Sequence, residues 1–151
     1  MKVVAENKKA GFQYQILDKF EAGIVLNGQE VKSIKSGRAS LKSAFVVFKQ
    51  SEPYLINVHI PPYQPKNAPK NYDPTRPRKL LLKKKEIKYL IGKSQEKGLT
   101  LIPLRLYIKK GKIKVEIAIG KGKRKVDKRE EIKKRDVERE IRRVLKGRVE
   151  R

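Results

Sequence analysis

Few side chains in this chain could do covalent chemistry. The one histidine, His59, sits between Val58 and Ile60 at the end of an apolar run. A histidine acting as general acid or base needs a partner that fixes its proton, and a lone one at a strand end reads first as a structural or surface residue. The chain has no cysteine. That excludes disulfides, thiolate metal sites and thiol nucleophiles, and it fits a reducing cytoplasm. Gly92-Lys93-Ser94 ends like a phosphate-binding loop, but the first glycine of that motif would fall where Ile87 stands, in a segment that reads as helix. Glu130 and Glu131 are neighbours in a run of charge and read as a solvated helix face. A two-metal nuclease needs converging carboxylates, and residues 1–125 hold nine acids, mostly isolated. Neither an enzyme nor a cofactor is expected.

What the chain has in quantity is positive charge. Forty Lys and Arg stand against sixteen Asp and Glu, a net of +24 on 151 residues. Such self-repulsion disfavours a compact fold, and a polyanion is the usual compensation, because each phosphate neutralised releases condensed counterions. Residues 126–151 hold 11 basic and 7 acidic residues, so most of the excess lies in the body, residues 1–125. The body is the expected polyanion-binding surface, and the tail, rich in both signs, is expected to do a different job.

The elements that must carry this charge are mostly strands. Phe12, Tyr14 and Ile16 alternate with Gln13 and Gln15, and Phe20 to Leu26 forms a second run. Asn27-Gly28 reads as a turn, and Gly28 to Gly37 as a short helix with Gly37 as its stop. Two more strands, Ala44 to Phe48 and Tyr54 to Val58, flank a polar turn. Residues 59–79 carry six prolines and no periodicity, which predicts a long loop. Lys83 to Lys97 reads as a helix with Gly98 as C′ residue. Ile102, Leu104, Leu106 and Ile108 alternate, as do Ile113, Val115, Ile117 and Ile119, which predicts an antiparallel hairpin with Pro103 at an edge or bulge. About six strands with a helix between them suit a small barrel of the oligonucleotide-binding type. From Asp127 the chain is nearly all charged, with a thin stripe of Val137, Ile141, Val144 and Leu145. It is expected to be disordered or frayed alone and to order on a partner. No apolar run approaches the ~18–20 residues that span a membrane, and MKVVAENKKAG is too polar for a signal peptide.

Several strings are more specific than this. They are Asn7-Lys8-Lys9-Ala10, Phe20-Glu21-Ala22-Gly23, Glu30-Val31-Lys32-Ser33, Asp73-Pro74-Thr75-Arg76-Pro77-Arg78-Lys79-Leu80-Leu81-Leu82, Gly120-Lys121-Gly122-Lys123 and Asp127-Lys128-Arg129. In this order and spacing the chain, from about Asn7 to its end, resembles the small protein B family, the bacterial tmRNA-binding proteins of trans-translation.

The resemblance implies a closed antiparallel barrel with two or three helices and a basic C-terminal tail over 126–151. It implies binding to the tRNA-like domain of tmRNA, with an elongation factor in the same delivery complex. The A site of a ribosome stalled without a stop codon would be the destination. It implies RNA contacts by Asn7, Lys9, Glu21, Lys32, Arg76, Arg78, Lys79, Leu81, Lys114, Lys121, Lys123 and Arg124. Glu30 and Lys32 also read as a local pair near the short helix. In the tail, Asp127, Lys128, Arg129, Lys133, Arg135, Asp136, Val144 and Leu145 would contact the decoding region and the empty mRNA path, helical when bound. Val126 departs from the family, where Tyr or His often precedes the Asp. A structured RNA is recognised through shape, phosphates and 2′-hydroxyls, and ten Phe and Tyr, mostly at core positions, suit that better than single-strand stacking. The competing readings are a structural ribosomal protein or general basic RNA binder, an RNA-processing enzyme, and a polybasic membrane-surface protein.

Overall fold

The computed structural model describes residues 1–123. Seven strands form one antiparallel sheet: β1 (Lys2–Glu6), β2 (Tyr14–Ile24), β3 (Phe45–Lys49), β4 (Glu52–Ile56), β5 (Arg78–Leu81), β6 (Leu99–Lys109) and β7 (Lys112–Gly122), in the order β1-β6-β7-β2-β5-β4-β3. Three α-helices accompany it: α1 (Ala10–Gln13), α2 (Gly28–Lys35) and α3 (Lys84–Ser94). The expected closed barrel is not what the pairing makes. The ladder begins at β1 and stops at β3; β3 curls round to lie close to β6 without pairing to it.

The long hairpin of β6 and β7 follows from the alternation read in the sequence. Its loop is two residues, Lys110 and Gly111, both at positive φ (51° and 77°). That is the primed turn whose twist matches paired strands. The expected single apolar face of β6 is not observed. A bulge between Pro103 and Arg105 shifts the register, and a one-residue slip sends every later side chain to the other face. Leu101 and Leu106 therefore enter the main core, while Ile102 and Leu104 join Ala10, Tyr14 and Ile16 in a separate cluster beneath α1. Pro103 is thus accommodated at a bulge, in a strand that has neighbours on both sides.

The two strands read around residues 12–26 are one strand, β2, bent by a second register shift between Ile16 and Asp18. Phe12 is not in it: it lies on α1 and is 82 % exposed.

Helix α2 is bounded by its caps. Asn27, read as a turn residue, is the N-cap. Its Oδ1 accepts the Glu30 N–H at 2.9 Å, and its own N–H donates to Glu30 Oε1 at 2.9 Å, a complete capping box. At the other end Gly37 (φ 88°) donates to Ile34 O and Arg38 N–H donates to Ser33 O, closing a Schellman turn. Helix α3 ends at Ser94, so Gly98 (φ 83°) serves the turn into β6 rather than the helix end.

The main core lies on the concave side of the sheet. Ile34 of α2 and Leu90 of α3, both fully buried, pack there with Leu41, Leu55, Val58, Ile60, Leu80, Val115 and Ile117. The proline-rich segment is fastened over it. Ile60 N–H donates to Pro74 O at 2.9 Å, and the Tyr72 hydroxyl donates to Ile60 O at 2.8 Å.

Candidate nucleic-acid interface

Opposite the core, the convex side of β1, β6, β7, β2 and β5 is a polar face built in cross-strand rows. Val3, Tyr107, Lys114, Gly23 and Leu81 are successive partners across five strands. At ~4.8 Å between strands the row is about 19 Å wide. Glu6, Arg105, Glu116 and Glu21 form the row beside it. Gly23 leaves room for Leu81: a Cβ there would stand 3.2 Å from Leu81 Cβ. Leu81 is 53 % exposed and Val3 40 %, so this row presents apolar edges on either side of Lys114.

Charge on the face is organised by bridges that cross β7. Tyr107 of β6 donates from its hydroxyl to Glu21 Oε2 of β2 at 2.5 Å, and Lys109 Nζ reaches the same oxygen at 3.4 Å. The hydroxyl bond, with Lys109 and Lys114 near by, holds the Glu21 carboxyl below its ordinary range despite partial burial. Burial first, and the Glu21 carboxylate second, raise the Tyr107 phenol well above its own. Arg105 grips Glu116 with two bonds, Nε to Oε1 at 3.2 Å and Nη2 to Oε2 at 2.8 Å. Its guanidinium also lies 5.6 Å from the centre of the Tyr107 ring. Glu116 and Glu21 are direct cross-strand partners, a pairing of like charges that would be unfavourable alone. Each acid has its own compensating group instead.

Of the residues implied by the resemblance, Glu21, Lys114 and Leu81 come together on this face. Glu21 does carry an ion pair, to Lys109, and remains 40 % exposed. Asn7 stands at the end of β1, where its side-chain amide donates to Pro103 O at 3.2 Å and its N–H to Leu104 O at 2.8 Å, so part of its capacity closes the β1–β6 ladder. Lys9 precedes α1 and is exposed. Lys121 has the register parity of the core residues of β7, opposite to Lys114, and lies exposed near the far end of the strand. Lys123 folds its Nζ onto Gly11 O, at 2.5 Å. Lys32 is exposed on α2.

Two expectations fail. Arg78 is not a phosphate contact: it is fully buried, with Nε on Glu30 Oε2 at 2.5 Å, Nη1 on Val58 O at 2.8 Å and Nη2 on Pro74 O at 3.0 Å. Glu30 is not paired with Lys32. Its fully buried carboxylate binds Arg78 and, through Oε1 at 2.6 Å, Arg76, besides capping α2. Burial alone would raise the Glu30 pKa, but the bonds from Arg76, the Asn27 N–H and Arg78 outweigh it and hold it below 4.5. Arg76 keeps about a third of its side chain exposed, and Lys79 pairs with Glu52 at 3.2 Å on the surface. Arg124 and the tail residues Asp127, Lys128, Arg129, Lys133, Arg135, Asp136, Val144 and Leu145 lie outside the described residues.

Tyr107, Arg105, Glu116 and Gly23 were not singled out from the sequence. The alternation of β6 and β7 does put Arg105, Tyr107, Lys114 and Glu116 away from the core, but nothing local reveals that Tyr107 reaches Glu21, 86 positions earlier. Among the described residues no group of His, Asp or Glu is placed to hold a metal ion, and no helix is long and apolar enough to cross a membrane.

The fold and this face define a basic antiparallel-sheet protein whose outer sheet face carries paired charges, with Lys114 between exposed Val3 and Leu81. Residues 4–147 match the family described as SmpB protein. The SsrA-binding protein of a Sulfurihydrogenibium species is 56 % identical over 148 residues, covering 98 % of this chain and 97 % of that one. That of Thermosynechococcus vestitus is 48 % identical over 148 residues, with the same coverage. A chain from a solved structure, "tmRNA-SmpB: a journey to the center of the bacterial ribosome", is 43 % identical, covers 85 % of this chain and 94 % of its own length, and superposes with a TM-score of 0.67. The chain belongs to the SmpB protein family.

Proposed function

We propose that this chain binds the tRNA-like domain of tmRNA through the convex face of β6, β7, β2 and β5 and carries it to stalled ribosomes in trans-translation. The observation that carries the reading is the meeting of Glu21, Lys114 and Leu81 on one sheet face of a chain whose charge is +24. Its support is the family itself, with relatives named for SsrA binding and a structural neighbour from a tmRNA complex described with the bacterial ribosome.

The protein acts in the cytoplasm as an RNA-binding partner without chemistry of its own. Residues 1–125 form the RNA-binding unit, whose curled sheet works as an oligonucleotide-binding-like barrel left open where β3 approaches β6 without pairing. Residues 126–151 enter the empty mRNA path and the decoding region through Asp127, Lys128, Arg129 and their neighbours, after delivery to the A site in company with an elongation factor.

A binding assay titrated with salt tests the reading, comparing the tRNA-like domain with an ordinary tRNA of equal charge. If about six phosphates are neutralised, both affinities fall by orders of magnitude between ~50 and ~200 mM salt. A preference for the tRNA-like domain that survives near-physiological salt supports the proposal. Equal binding that vanishes together contradicts it and favours a general basic RNA binder.

A further inference from the structure

We infer that Tyr107 is a positioning residue for RNA recognition: it fixes the Glu21 carboxylate so that one oxygen is held by protein and the other faces outward as a selective acceptor. The inference rests on the functional reading above and deepens it.

Tyr107 is 2 % exposed, although its position on β6 belongs to the convex face. Strand β7 lies between β6 and β2, so a phenol that reaches Glu21 must lie across β7. Arg105 stands over the ring. The hydroxyl ends 2.5 Å from Glu21 Oε2, the same oxygen that Lys109 approaches. Both bonds fall on Oε2. Oε1 has no partner among the described residues, while the side chain is 40 % exposed.

An ionised carboxylate only accepts. Base amino groups and 2′-hydroxyls can donate to it, and phosphate cannot. On a chain whose net charge of +24 attracts phosphate, a fixed anion rejects any approach that places phosphate at that spot. It rewards an approach that places a donor there. Without the phenol bond the carboxylate would turn more freely and present no fixed acceptor. Tyr107 therefore contributes selectivity among RNAs, whereas the lysines contribute affinity for all of them.

The test is Tyr107→Phe, which keeps the ring and removes the hydroxyl. Charge-assisted bonds of this kind support a loss of about tenfold in affinity for the tRNA-like domain, with affinity for an ordinary tRNA unchanged within about twofold. Glu21→Asp is the second variant, because it draws the carboxylate away from the phenol at an exposed position and leaves the packing of Tyr107 intact. It is expected to lose selectivity likewise, and the two losses are expected not to add. A readout without RNA accompanies them: by carboxyl carbon-13 titration, Glu21 titrates higher in Tyr107→Phe than in the wild type, which a purely packing role for Tyr107 would not produce. Selectivity retained in both variants, or equal loss for both RNAs, overturns the inference. A wild-type protein with no preference overturns the functional reading itself, and this one with it.

Discussion

The buried Glu30 carboxylate joins three parts of the chain that are far apart in sequence, so its replacement by Gln has a large and specific consequence. Glu30 caps α2 through the Asn27 N–H, pairs with fully buried Arg78 at 2.5 Å and with Arg76 at 2.6 Å. Arg78 in turn holds Val58 O and Pro74 O. Glu30→Gln keeps the shape but leaves the Arg78 guanidinium buried without a counter-charge. Breaking a buried pair on one side costs about 3–5 kcal/mol, against a total stability of about 5–15 kcal/mol for a domain. With a urea slope of about 1–3 kcal/mol per molar, the unfolding midpoint is expected to fall by more than about 1 M. The pH dependence has a definite sign. The native pKa of Glu30 lies below the ordinary 4.5, so its stabilisation is whole above about pH 4.5 and is lost as pH falls through the lower native value. The variant loses that component of the acid transition. Replacing both partners, as Glu30→Gln with Arg78→Met, is expected to recover much of the loss, since no charge is then stranded. A single variant that costs under about 1 kcal/mol by urea unfolding, with an unchanged acid transition, would refute this account of the cluster.

Three further outcomes are expected. Gly120→Ala would set a methyl group against Ile102 Cδ1 and Tyr14 Cβ, the latter at 3.0 Å; the cost is about 1–3 kcal/mol, read as a lower melting temperature. The β3–β4 turn holds Gln50 and Ser51 at positive φ (52° and 62°), a conformation that costs non-glycine residues about 1–2 kcal/mol. Asn-Gly at these two positions is therefore expected to raise stability in urea with RNA affinity unchanged. Deleting 127–151 is expected to leave affinity for the tRNA-like domain within about threefold, by the proposed division of labour, and to abolish peptide tagging in a reconstituted translation system.

The parts of the fold legible in the sequence are those written in local pattern. The β6–β7 hairpin carried its alternation and its Gly111, and α2 carried Gly37. What was not legible depends on partners distant in the chain. Strand β1 is five residues whose pairing with β6 nothing nearby announces. Strand β5 follows six prolines and is identified only by its neighbours β2 and β4. Bulges at 103/105 and 16/18 reverse face parity without leaving a compositional trace beyond Pro103. The site divides in the same way. Lys114 was placed outward by alternation, and Glu21 and Leu81 by resemblance. Arg78 looked like a surface cation because its counter-ion lies 48 positions away. The capping signal Asn27-x-x-Glu30 was there to read, but the Asn-Gly pair suggested a turn first.

The central claim is that RNA is bound by the convex sheet face and not by the charge of the molecule as a whole. The most direct measurement compares Lys114→Glu with Lys88→Glu in the same binding assay. Both change net charge equally, but Lys114 lies on the convex face, whereas Lys88 is exposed on α3, a helix packed on the core side of the sheet. The account predicts a loss of about tenfold or more for the tRNA-like domain with Lys114→Glu, and a change within about threefold with Lys88→Glu. Equal losses in the two variants, with both proteins folded, would contradict it.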